Sequence, residues 1–174
     1  MSTLSRGQGY TLVELMVALA AGAFLLAGVS LSYSAIKSTI LVGKELENAQ
    51  EVIRYTSKVF TRSIKQTPSA PTIAADGSSI TISQPTGVIT CNGSVSGADV
   101  TEIYSLTGNN LMCAIGAEPA ERLLTGVTQL SFALNNNVVT INVGPENLPA
   151  QFGNTIAIDI AVSNVILNNA FGGV

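Results

Sequence analysis

The chain has 174 residues, a length that fits one domain with an extended appendage, and its 47% of hydrophobic residues are unevenly spread. It contains no histidine, so the commonest general base and the commonest zinc ligand are both missing. From Gln66 onward one base, Arg122, stands against seven acids (Asp76, Asp99, Glu102, Glu118, Glu121, Glu146 and Asp159), a balance that repels phosphate and argues against nucleic-acid binding by this part of the chain.

Residues 1–9 form a short polar stretch whose only charge is Arg6. Between Leu12 and Leu31 the only polar residues are Glu14 and Ser30. About 20 residues of helix span roughly 30 Å, the thickness of a bilayer's hydrocarbon core. An ordinary secretory signal has a shorter apolar stretch followed by a small-residue cleavage site. Ala18-Leu19-Ala20 and Ala21-Gly22-Ala23 resemble such sites, but the apolar run continues through Phe24, Leu25 and Leu26. A plain signal anchor accounts for the span and leaves the acid unexplained. A carboxylate inside an apolar run costs up to a few kcal/mol (about 3 at a helix centre), so Glu14 needs a positive partner, and the segment supplies none.

The run Gly9-Tyr10-Thr11-Leu12-Val13-Glu14-Leu15 resembles the cleavage and methylation motif of type IV prepilins and pseudopilins. The resemblance implies that a prepilin peptidase cuts between Gly9 and Tyr10 on the cytoplasmic side and methylates the new amine on Tyr10. The family usually has phenylalanine there, and Tyr10 is a conservative departure. The resemblance also gives Glu14 its partner, the N-terminal amine of a neighbouring subunit. Opposite charges at short range in low dielectric attract strongly, and each alone is costly. The competing reading has Glu14 reaching back to the headgroups. A second departure is the lack of any proline before Pro68, where many major pilins carry one about twenty residues into the mature chain and Leu31 stands here. Gly22 and Gly28 are the positions that loosen the helix or let neighbouring helices approach.

With no proline up to Thr67, the helix is predicted to run on past the membrane. Val42, Leu46, Ala49, Ile53, Phe60 and Ile64 make one apolar stripe at helical spacing, as expected for a half-buried helix packed on a sheet. Lys37, Lys44, Arg54, Lys58, Arg62 and Lys65, with Glu45, Glu47 and Glu51, take the other faces and read as a solvated surface. The helix is expected to end near Lys65, ahead of Thr67-Pro68. Pro68 to Ser79 reads as a loop. Strand-like runs follow at Ile80-Thr81-Ile82, Val88-Ile89-Thr90, Glu102-Ile103-Tyr104, Leu111-Met112-Cys113, Val127 to Leu134, Val138 to Val143 and Thr155 to Val162. Asn135-Asn136-Asn137 is a predicted hairpin turn, because asparagine tolerates left-handed backbone.

Both cysteines, Cys91 and Cys113, lie in the downstream half. In an exported domain a disulfide is the default reading; in a reducing compartment two free buried thiols are the alternative. Such a bond ties Cys91 to the Cys113 strand across a polar, exposed loop that includes Asn92 to Asn109. There is no Gly-x-Ser-x-Gly elbow, phosphate loop or metal-ligand cluster, and the neighbouring acids Glu118 and Glu121 read as a solvated turn. No catalytic residue, metal or cofactor is therefore expected. Arg122 to Phe132, then Leu148-Pro149 and a late isoleucine-rich strand, resemble minor pilins of the PilW type, a layout that the J-type pseudopilins of type II secretion share.

These readings converge on an α+β fold: a long N-terminal helix packed against an antiparallel β-sheet head. Residues 1–9 are the expected leader, 10–31 the transmembrane and filament-core helix, 32–66 the amphipathic continuation and 67–174 the head. The resemblance implies a minor type IV pilin that helps initiate or support pilus assembly. The alternative is a pseudopilin of type II secretion or of a DNA-uptake filament. Its implied partners are the prepilin peptidase, other major and minor pilins through the N-terminal helix, and the bacterial inner membrane, with the head in the periplasm before entry into the filament at the cell surface.

Overall fold

The structure, a computed structural model, describes residues 11–149 and 152–171. The apolar start and the proline-free stretch behind it form one helix, α1 (Leu12–Gln66). By its packing the chain divides into two units, Met1–Gly43 and Lys44–Val174. In the described part of the first, large apolar side chains face outward, with Leu12 75% and Phe24 80% exposed. This helix is long and apolar enough to cross a membrane by length and composition.

The second unit holds the rest of α1 and two antiparallel sheets. Five strands in sequence order make the first: β1 (Thr72–Ile73), β2 (Ser79–Gln84), β3 (Val100–Thr107), β4 (Asn110–Ile115) and β5 (Glu121–Thr125). Three strands make the second: β6 (Val127–Asn135), β7 (Val138–Pro145) and β8 (Ile156–Ala161). Gly126, at a φ of 83°, turns the chain from one sheet to the other, a backbone state that residues with a Cβ adopt at a cost. Asn136 and Asn137, at φ 48° and 67°, close the β6–β7 hairpin as a two-residue turn between the paired Asn135 and Val138. A short helix, α2 (Ser163–Phe171), follows β8. Its Asn164 donates from Nδ2 to the carbonyls of Lys65 and Thr67, satisfying acceptors that the end of α1 leaves open.

The core is a layer between the helix and both sheets. Phe60 of α1 lies 4.8 Å from the ring of Tyr104 on β3 and 5.5 Å from that of Phe132 on β6, so one aromatic side chain joins three elements. Around it pack Ile64, Ile80, Ile82, Leu111, Val139 and Ile141, all fully buried.

Several expectations are corrected in detail. The buried line of α1 is Ala49, Val52, Thr56, Val59, Phe60, Ser63 and Ile64, whereas Val42 is 57% exposed and Leu46 and Ile53 are only half-buried. The predicted stripe passed over Thr56 and Ser63 because they are polar, although small hydroxyl side chains fit where a helix lies close to a sheet. Val88-Ile89-Thr90 forms no strand, only the isolated pairing of Ile89 with Val95. The Asn92 to Asn109 stretch is not one exposed loop, since β3 occupies most of its second half and Glu102 and Tyr104 there are fully buried. Pro68 to Ser79 contains β1.

Candidate functional site

Two places concentrate polar chemistry: the start of α1 and a buried cluster beside the disulfide. At the start of α1, Thr11 is the capping residue: its hydroxyl accepts from the Glu14 amide at 3.3 Å and its carbonyl accepts from the Leu15 amide at 3.2 Å. Glu14 therefore stands in the first helical turn, exposed, where the helix dipole favours a negative charge. Thr11 and Glu14 have the spacing of a capping box, which gives the acid a local reason to begin a helix there as well. Gly9 and Tyr10 lie outside the described residues.

The second place adds to the Cys91–Cys113 bond a buried cluster that the sequence pattern did not reveal. Cys91 and Cys113 are joined in a disulfide, with Cα atoms 6.5 Å apart. Cys113 pairs across the ladder with Tyr104, and Tyr104 is two residues from Glu102 on the same face of β3. The Glu102 carboxylate, fully buried, accepts on one oxygen from the Cys91 amide at 2.5 Å. Its other oxygen accepts from Gln84 Nε2 and from the Tyr104 hydroxyl, both at 3.0 Å. Gln84 Nε2 also donates to the Ser63 carbonyl at 3.0 Å, and the Ser63 and Tyr104 hydroxyls are 2.7 Å apart. One carboxylate thus connects α1, β2, β3 and the disulfide loop. Burial, with the Glu102 charge beside it, pushes the Tyr104 hydroxyl far above the ordinary tyrosine range. Arg62 adds a further tie, donating to the Thr90 carbonyl at 3.0 Å. An acid inside an alternating strand was the available signal for this cluster, and counting Glu102 with the surface acids hid it.

The arrangement is that of a structural latch. Its hydroxyls and carboxylate are occupied by one another and buried, and Gln84 Nε2 is shared between Glu102 and the Ser63 carbonyl, while Gln84 Oε1 is buried without a partner. Glu118 and Glu121, by contrast, are exposed beside the disulfide. Among the described residues no group of three or more acidic or cysteine side chains is placed to hold a metal ion.

Residues 4–30 match a family model described as the prokaryotic N-terminal methylation motif. The match covers the Gly9–Tyr10 junction, Glu14 and the apolar first part of α1, and it supports a type IV pilin or pseudopilin class of protein, a substrate of a prepilin peptidase. The long apolar helix followed by antiparallel sheets agrees with a type IV pilin-like fold. No curated protein matches the chain.

Proposed function

We propose that this chain is a minor type IV pilin, a structural subunit that helps initiate or support a pilus. The observation that carries the reading is the methylation-motif match over residues 4–30, at the head of an unbroken apolar helix with Glu14 in its first turn. On this reading residues 1–9 are a leader removed between Gly9 and Tyr10, and the Tyr10 amine is methylated. The Glu14 carboxylate then pairs with the amine of a neighbouring subunit as the helix leaves the membrane. In low dielectric the pair stabilises the assembled state and each charge alone penalises the separated one. Before assembly the helix from Tyr10 to about Leu31 anchors the chain in the bacterial inner membrane, with the head in the periplasm. Other pilins contact it through the same helix. The role is positional and needs no catalysis.

A clean deletion in the host tests the assignment, with surface pili counted by electron microscopy and secreted exoproteins measured in the same cultures. Lost pili with normal secretion is the expected result. Normal pili with blocked secretion would assign the chain to a secretion pseudopilus instead.

A further inference from the structure

We infer that the groove between the disulfide loop and the β4–β5 turn receives the basic face of helix α1 from a second copy of this chain. The groove, about 390 Å³, is lined by Asn92, Ser94, Cys113, Ile115, Glu118 and Glu121 among others, and no basic side chain lines it. Two exposed carboxylates therefore border a cleft of mixed polar and apolar lining.

The complementary surface lies on the same chain. Arg54, Lys58 and Lys65 are exposed and follow one another at steps of four and seven, so they line the solvent side of α1, away from Ala49, Val52, Thr56, Val59 and Ser63. No acid occurs from Val52 to Gln66, while Glu47 and Glu51 share the N-terminal end of this face, Glu51 lining a shallow cleft with Arg54 and Lys58. Outside Val52 to Gln66 the second unit has two bases, Lys44 and Arg122, against ten acids, so this helix face is the one concentrated positive surface among the described residues there. Long basic side chains bring aliphatic stems as well as charge, which suits a cleft whose lining includes Ile115 and the disulfide-bonded Cys113.

The groove wall is prepared for contact. The loop from Pro85 to Asp99 is held by the disulfide, by the Cys91 amide on Glu102, by Arg62 on the Thr90 carbonyl, and by the Thr86 amide on Asp99 at 2.9 Å. A loop fixed in advance loses little freedom on binding. The same loop pairs Ile89 with Val95 and leaves them 44% and 65% exposed. Because groove and helix face are different surfaces, their pairing is head-to-tail and leaves one groove and one helix face free at the ends of a pair. The setting rests on the filament reading; the contact itself does not.

The test uses the full chain, produced in its host with two different epitope tags, and a zero-length carbodiimide that joins lysine to carboxylate. Capture on one tag, detection of the other and peptide mapping are expected to link Lys58 or Lys65 to Glu118 or Glu121. Reversal of the helix face (R54E with K58E) or of the groove (E118K with E121K) is expected to lower the mixed-tag product about tenfold. Co-producing the two reversed chains is expected to restore it, since each then meets a complementary surface. Unchanged product in either reversed chain, no recovery on co-production, or links from Glu118 and Glu121 only to another filament subunit would overturn the inference. Such results in chains still cut after Gly9 and recovered in sheared filaments would leave the filament reading standing. The expected cross-link in chains absent from every filament would do the reverse.

Discussion

Glu102 is the residue on which the interior of the second unit turns. Its two oxygens satisfy the Cys91 amide, Gln84 Nε2 and the Tyr104 hydroxyl. Glu102→Leu fills similar space, leaves the Cys91 amide without a partner and takes one acceptor each from Gln84 Nε2 and the Tyr104 hydroxyl, which keep Ser63, and should cost about 3 kcal/mol in the thermal unfolding of the full chain in detergent. Glu102→Gln keeps the shape and one acceptor and should cost about half as much; equal losses for the two variants would show that packing, not hydrogen bonding, explains the site. Tyr104 makes a separate prediction with pH. Its hydroxyl is held neutral in the folded chain well above its ordinary value of 10.0. The stabilisation is fully present below that value and is lost as pH rises above it, because the unfolded chain releases the proton first. The slope should be about 1.4 kcal/mol per pH unit above pH 10. Tyr104→Phe should start about 1 kcal/mol less stable, since Ser63 and Glu102 each lose a partner, and should show a flatter alkaline limb. A variant with the original slope would remove Tyr104 as its source.

At the scale of elements, legibility followed the strength of the local pattern. The β6–β7 hairpin could be read because alternating apolar residues flank two asparagines that accept positive φ. The C-terminal end of α1 could be read from Thr67-Pro68. The loop around Val88-Ile89-Thr90 misled because β-branched composition suggests a strand, while Thr90, Asn92 and Ser94 bond one another and their own backbone instead of a ladder. β1 has two residues and α2 nine, too short for periodicity to declare them. The latch was illegible for another reason: its members come from α1, β2, β3 and a turn, and only the fold brings them together. The disulfide belongs to this scale, since it closes a segment of sequence separation 22. Replacing both Cys91 and Cys113 with serine should cost about 3 kcal/mol overall in the chain-entropy model. Amide exchange should rise most in the Pro85 to Asp99 loop and least in β7, which pairs on both edges. A uniform rise throughout the unit would argue that the loop is not a separate clamp.

For the molecule as a whole, the proposed function places the decisive chemistry at an end of the chain that does little for the fold. The head's core begins at Ala49, and the apolar residues from Leu12 to Val42 are exposed. Changes at the N-terminus should therefore leave the head's unfolding unaltered while abolishing assembly. Gly9→Val puts a β-branched side chain at the cleavage junction, and the full-length precursor should persist by mass spectrometry. Glu14→Ala should be cut normally but recovered in sheared filaments at about a tenth of the wild-type level, since the neighbour's amine loses its low-dielectric partner. The double variant decides whether the two residues act on one event. If Glu14 works through the amine that cleavage at Gly9 releases, the double variant should fail no further than Gly9→Val alone, because there is then no amine for the carboxylate to meet. Independent losses that add would mean that Glu14 serves the helix start through Thr11, with its place in the motif secondary.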